Sequence, residues 1–318
     1  MLANKWNVVG IDGMTDYYDV SLKRARHAIL EKNDNFRSYQ IMLEDEKALS
    51  EIFRVTKPVV LIHLAAQAGV RYSIVNPKSY IQSNIIGTFN ILEMSKKFSI
   101  KHLLIASTSS VYGSNQETPF HENQKTNSQM SFYAATKLSN ESMAHSYSHI
   151  YGIPTTIFRF FTVYGPWGRP DMALFKFTKL ILENKLIEVY NYEKMSRDFT
   201  YVLDLVQAIE KLVSKIPMIP NNRNSHYKFD SISDVAPFRI VNIGNSRSVP
   251  LIKYIEIIEN EIGKKAKKKL VKMQDGHVIN TLSDIRLLIE LTGFAPKTSI
   301  SEGVRSFVKW YKNYYLKG

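Results

Sequence analysis

Tyr133 and Lys137 are the residues whose types and spacing could do chemistry. In a helix they stand one turn apart on one face, so an ammonium can lie beside a phenol. A free tyrosine, with a pKa of about 10, is a poor base near neutrality, but a neighbouring cation favours its phenolate. The pair is therefore a candidate proton shuttle, although the same spacing also suits a solvated helix face. Upstream, Ile105-Ala106-Ser107-Thr108-Ser109-Ser110-Val111-Tyr112-Gly113 is an apolar run that breaks into four hydroxyls and a turn. A buried parallel strand ends in this way when its carboxyl end carries a site.

The elements that must position these groups alternate along the chain. Val8 to Asp12 reads as a short strand ending in an acid. After a polar segment, Val59 to Ala66 is a second strand running into Gln67-Ala68-Gly69. A helical stretch from Pro77 to Lys97 follows, then a strand from His102 to Ser107, a loop from Asn115 to Gln129, the Tyr133 helix, and a strand from Thr155 to Phe161. Such alternation predicts an α/β fold with a doubly wound parallel sheet. Past Gly165-Pro166 the pattern predicts a helix over 172–186, an extended stretch over 187–192 and a helix over 204–215. A polar loop over 217–237, a strand over 238–243, and helices over 251–261 and 304–315 complete it. This second half reads as a smaller mixed α/β domain, with a cleft expected against the first.

Composition narrows the chemistry. The 318 residues suffice for a large core, and the absence of cysteine excludes disulfides, thiolate nucleophiles and cysteine-ligated zinc. No histidine or acidic cluster has metal-ligand spacing, so no metal is expected. The N-terminus lacks a signal pattern and no apolar run reaches the roughly 18 residues a membrane helix needs, so a cytoplasmic protein without membrane insertion is expected. The net charge is +13, yet lysines and arginines are scattered instead of interleaved with aromatics, which argues against a nucleic-acid partner. The one dense run, Lys264 to Lys269, reads as a solvated loop between a helix and a strand. A basic surface also suits an anionic nucleotide substrate.

Several stretches in this order carry a resemblance. The strand-end hydroxyls, Tyr133-x-x-x-Lys137 and Arg159-Phe160-Phe161-Thr162-Val163-Tyr164-Gly165-Pro166-Trp167-Gly168-Arg169-Pro170-Asp171-Met172 are joined by His63-Leu64-Ala65-Ala66-Gln67-Ala68-Gly69-Val70-Arg71-Tyr72-Ser73 and Arg197-Asp198-Phe199-Thr200-Tyr201. Together they resemble the extended short-chain dehydrogenase/reductases acting on nucleotide sugars, most closely the UDP-glucuronate 4-epimerases. The likeness runs through almost the whole chain, and it implies a Rossmann-like sheet with bound NAD, a UDP-sugar substrate and a homodimer paired through the Tyr133 helix.

Carried over position by position, the resemblance makes Tyr133 the base for the sugar 4-hydroxyl. Lys137 would tune it and hold the nicotinamide ribose, and Thr108 would hydrogen-bond the 4-oxygen. It assigns Asp12, Ala65, Ala66, Gln67 and Asn84 to the cofactor, with Asn84 bracing the site through its backbone. Ser109, Ser110, Thr162 and Arg169 would surround the sugar, with the Arg169 guanidinium on its carboxylate, and Arg197 would meet the nucleotide. The implied division is an NAD-binding domain of 1–165 with about 198–216 and 238–244, and a nucleotide-sugar-binding domain from 166–197 and the remainder of 217–318. Epimerisation would pass through a 4-keto sugar, and capsule or lipopolysaccharide precursor supply is the expected pathway.

Some family features are missing. Gly10 and Gly13 do not reproduce the Gly-x-x-Gly-x-x-Gly turn, so the sheet is expected to lack its first strand and roughly 20 to 30 residues of a βα unit. A late start or a natural remnant would explain this. Met42 and Leu203 stand where acids are usual, and Gln274-Asp275-Gly276-His277-Val278 alters a Pro-Gly-Asp motif. Decarboxylation of the same keto-uronate, 4-epimerisation of an N-acetylhexosamine, and a truncated or degenerate non-catalytic homologue are the alternative readings. Ser109-Ser110 replaces the acidic pair that a 4,6-dehydratase needs. His63 is expected to be a packed strand residue, Trp167 and Trp310 structural, and Asp12 either a ribose ligand or a helix cap; Arg71 could line the sugar pocket or lie on the surface.

Overall fold

The computed structural model describes residues 1–220, 227–273, 276 and 278–316. In chain order the elements are β1 (Val8–Ile11), α1 (Val20–Leu30), β2 (Phe36–Tyr39), α2 (Glu46–Thr56), β3 (Val60–His63), α3 (Val70–Val75), α4 (Pro77–Tyr80), α5 (Gly87–Lys97), β4 (His102–Thr108) and α6 (Phe132–Tyr151). They continue with β5 (Thr155–Phe160), β6 (Thr162–Tyr164), α7 (Ala173–Leu182), β7 (Leu186–Tyr190), β8 (Ser196–Tyr201), α8 (Val202–Val213), β9 (Phe238–Ile243), β10 (Ser248–Pro250), α9 (Leu251–Ile262), β11 (Lys267–Val271), α10 (Arg286–Thr292) and α11 (Ile300–Tyr315). Two compact units result: Met1–Ser107 with Phe132–Phe158 and Leu212–Ile240, and Thr108–Ser131 with Arg159–Lys211 and Val241–Gly318.

The first unit holds parallel strands with helices between them, as the alternating pattern requires. Strand order is β3-β4-β5-β9, and β4 is buried along all seven residues because it is an interior strand covered on both faces. Strand β3 pairs with it in parallel, Val60 opposite His102. Strands β1 and β2 form a parallel pair of their own, Val8 opposite Phe36. Leu49 and Phe53 of α2, Leu92 of α5, Leu103 and Ile105 of β4 and Ile157 of β5 meet in one core. Helix α2 owes its place to an Asp45 cap on the Ala48 N–H and to Leu49, Ile52 and Phe53 at helical spacing.

In the second unit β8 lies between β6, parallel, and β10, antiparallel, and β11 runs parallel to β7. Its organising polar group is Asp198, fully buried on β8. The Asp198 carboxylate accepts from the backbone of Asn245, Ser246 and Ser283 and from the Ser283 hydroxyl at 2.6–3.0 Å. Burial alone pushes this carboxyl up, and those four donors pull against it. A Cβ at Gly244 would sit 2.1 Å from the Ser283 hydroxyl oxygen, so the close approach needs glycine. Helix α11 starts with a capping box between Ser299 and Glu302.

Two expectations from the sequence gain detail and two need correction. The polar segment before residue 59 contains α1, β2 and α2. The stretch 77–97 is helical throughout, as expected, with α4 and α5 flanking a π-helical turn, Ile81–Ile86. The helix expected over 172–186 ends at Leu182, and Leu186 already belongs to β7. The basic run is only half loop, because Lys267, Lys268 and Lys269 pair with Leu186, Ile187 and Glu188 as β11 while their side chains stay at the surface. Among the described residues no helix is long and apolar enough to cross a membrane.

Candidate active site

Helix α6 carries the half-buried Tyr133 one turn before Lys137, which lies on the buried stripe with Ala134, Glu141, Ala144 and Ser148. Lys137 is 2% exposed and donates its ammonium to the Ala106 carbonyl of β4 at 2.7 Å. Burial lowers it to about 8, and the Glu141 carboxylate works in the opposite direction. The ring of Tyr133 meets the edge of the buried Tyr80, centroids 6.0 Å apart. Tyr80 in turn is fixed by donating its hydroxyl to the Gly69 carbonyl at 2.6 Å.

Beneath the pair lies a polar lattice. Asn84, fully buried in the π turn, accepts the Gln67 N–H at 2.8 Å and donates to the Gln67 carbonyl and to the Thr136 hydroxyl, both at 3.0 Å. Thr136 donates its own hydroxyl to the Tyr133 carbonyl at 2.9 Å. Asn84 therefore braces through its side chain, where a backbone role had been expected. The π turn at this position is typical of functional sites, since it shifts the register that aims such a residue. His63 is packed as expected: its Nε2 lies 3.0 Å from the Thr88 hydroxyl. Burial, and the Lys137 charge nearby, press its pKa down to about 3.

Other sequence-predicted residues of this unit follow strand ends. Asp12 closes β1, is exposed, and accepts the Met14 N–H at 2.7 Å in a local turn. The cap of α1 is instead Asp19. Ala65, Ala66 and Gln67 leave the carboxyl end of β3, and Arg71 is exposed on α3.

The second unit carries the remaining residues. Thr108 ends β4, where its hydroxyl oxygen accepts the Ser110 N–H at 3.2 Å and caps the 3₁₀ turn Ser109–Tyr112. Thr162 opens β6 opposite Phe199 of β8. Arg169 is half-buried and paired with Asp171 at 3.1 Å. Arg197 of β8 donates to the carbonyls of Ser196, Val278 and Ile279 at 2.5–2.9 Å, and burial lowers it to about 10. Trp167 packs against Trp310 and Tyr314 of α11. Within the altered motif, Gln274, Asp275 and His277 lie outside the described residues. Among those described, no group of three His, Asp or Glu could hold a metal.

Sequence reasoning missed Glu141, Ser107, Thr136 and Tyr80. One signal was present for the first: Glu141 repeats the four-residue step from Tyr133 through Lys137.

The family profile described as GDP-mannose 4,6 dehydratase matches residues 1–307. The chain is 51% identical to a probable UDP-glucuronate 4-epimerase of Rhizobium meliloti (strain 1021), over 98% of this chain and 91% of that protein. It is 45% identical to UDP-glucuronate 4-epimerase 6 of Arabidopsis thaliana, over 97% of this chain and 66% of the relative. The crystal structure of UDP-glucuronic acid 4-epimerase from Bacillus cereus, in complex with UDP-glucuronic acid and NAD, superposes with a TM-score of 0.86 at 29% identity, covering 98% of this chain and 93% of that one.

Proposed function

Because this chain belongs to the GDP-mannose 4,6 dehydratase family of NAD-dependent epimerases and dehydratases, we propose that it is a UDP-glucuronate 4-epimerase, an isomerase interconverting UDP-glucuronate and UDP-galacturonate. The observation that carries the reading is the Tyr133 and Lys137 pair on one face of α6, with Lys137 anchored on Ala106. The kinship with UDP-glucuronate 4-epimerases supplies the substrate.

The residues present fit the ribose and nicotinamide portions of NAD. The exposed Asp12 carboxylate uses one oxygen on the Met14 N–H, which leaves acceptor capacity for ribose hydroxyls. The loop through Ala65, Ala66 and Gln67 is held rigid by Asn84, and the Lys137 ammonium has further donors beyond the one on Ala106. When bound, NAD supplies a hydride acceptor and donor for carbon 4 of the sugar and ends the cycle oxidised. Residues 1–165, with about 198–216 and 238–244, serve this cofactor, and the rest of the chain serves the nucleotide sugar.

Tyr133 takes the proton of the 4-hydroxyl and returns it to the epimer. Lys137, charged near neutrality, favours the phenolate and holds the nicotinamide ribose. Thr108 hydrogen-bonds the 4-oxygen, while Ser109, Ser110 and Thr162 orient the sugar. Arg169 meets its carboxylate with two parallel hydrogen bonds, and Arg197 binds the nucleotide end. The working protein is a cytoplasmic homodimer.

The test is incubation of the chain with UDP-glucuronate and NAD, with products separated by chromatography. UDP-galacturonate is expected. A UDP-pentose would assign decarboxylation, and unchanged substrate alongside tight calorimetric NAD binding would assign a non-catalytic binder.

A further inference from the structure

One turn beyond Lys137, the buried stripe of α6 carries Glu141, a carboxylate 5% exposed that the proton transfer does not use. Ser107 donates its hydroxyl to Glu141 Oε1 at 2.5 Å, and Lys137 donates to the carbonyl of Ala106 at 2.7 Å. Two oppositely charged side chains of one helix thus grip consecutive residues of β4. A buried carboxylate is costly unless it is partnered, and here the partners are a strand hydroxyl and the field of an ammonium one turn away. The other titratable groups facing Lys137 are Tyr133 on its own helix and His63 from β3, which burial keeps neutral. Among the described residues, Glu141 is the acid whose charge bears on Lys137.

Resting on the epimerase reading, we infer that Glu141 is a positioning residue which, anchored by Ser107, fixes Lys137 against the end of β4 and keeps its ammonium charged for Tyr133. The assignment separates two jobs that one residue could not do. Lys137 must stay dry to act strongly on the phenol, and dryness alone would drive off its proton. A second buried charge, itself tied to the strand, offsets that tendency without admitting water.

The test is an NMR pH titration of the full chain labelled with ¹³C at the lysine ε carbon, with the Lys137 signal identified by its loss in Lys137→Met. In Glu141→Gln the Lys137 midpoint is expected to fall by roughly one unit. Glu141→Asp, which keeps the charge, should restore most of it, and Ser107→Ala should lower the midpoint by a smaller amount. An unmoved Lys137 in Glu141→Gln, whatever the stability of that variant, would mean that Glu141 only packs, and the inference fails. Should Glu141→Gln not fold, Ser107→Ala decides alone: a lowered midpoint supports the role and an unchanged one overturns it. Because the titration needs no turnover, absence of UDP-galacturonate sinks the functional reading without touching this result. An unmoved midpoint, conversely, leaves the epimerase reading standing.

Discussion

The carboxamide of Asn84 holds the Gln67 peptide by both ends, accepting its N–H at 2.8 Å and donating to its carbonyl at 3.0 Å. The same amide reaches Thr136 on α6, so one buried side chain ties the loop after β3 to the helix that carries Tyr133 and Lys137. Asn84→Ala strands two backbone groups at once, and each unsatisfied group costs about 1–3 kcal/mol. We expect a loss of about 2–4 kcal/mol in urea denaturation, with weaker NAD binding by calorimetry because the loop is released. Asn84→Asp should also weaken both, since an acceptor would then face the Gln67 carbonyl. Unchanged NAD affinity in both variants would show that the loop needs no brace.

Tyr133→Phe removes one oxygen and keeps the ring that meets Tyr80 edge-on. Epimerisation should fall by about 10²–10⁴-fold, the range of a lost general acid–base. The thermal midpoint should stay close to that of the parent chain, because the ring contact with Tyr80 is kept. Turnover within a few-fold of the parent would remove Tyr133 from the mechanism.

Legibility in the sequence followed the strength of local signals. Strand β4 was readable because an interior strand leaves a continuous apolar run, Leu103 to Ala106, and α6 because Tyr133 and Lys137 have helical spacing. Helix α1 was not, since only Leu22 and Lys23 are buried on it and its apolar face is thin. Nothing in composition separates a π turn from an α turn, so the π turn at Ile81–Ile86 was invisible although it aims Asn84. The lysines of β11 read as loop because their strand state comes from pairing with β7, a partner some 80 residues away by the usual logic of non-local sheets. Glu141 shares the four-residue step of Tyr133 and Lys137, but its partner Ser107 is set by tertiary packing and not by spacing.

Arg169 carries the choice of a uronate over a neutral sugar in the proposed reaction. Its guanidinium is half-buried beside Asp171, 3.1 Å away, which sets its direction. Lysine keeps the charge but loses the fork that meets two carboxylate oxygens together. Arg169→Lys should lower kcat/KM for UDP-glucuronate by about 10²-fold, mostly through KM. An unaltered KM would place the sugar carboxylate elsewhere.

Glu122 offers a test of a buried charge away from the chemistry. It is 7% exposed, and its Oε1 accepts the Asn242 N–H at 2.8 Å. Burial pushes it from 4.5 up to about 7, with the Asp284 charge adding and Arg159 opposing. The folded state therefore keeps a proton that the unfolded chain has released between those two values. The stability from this group is full below about 4.5 and lost as pH rises through about 7. Glu122→Gln retains an oxygen for Asn242 and cannot ionise, so it should exceed the parent at pH 8 by on the order of 2–3 kcal/mol and converge with it near pH 4. His63 has the opposite sense: held neutral down to about 3, it favours folding above its ordinary 6.5 and less so as pH falls. That contribution is common to both proteins, so the difference between their urea stabilities at each pH isolates Glu122. A difference that does not vary with pH would mean that the carboxyl ionises in the folded chain as it does in water.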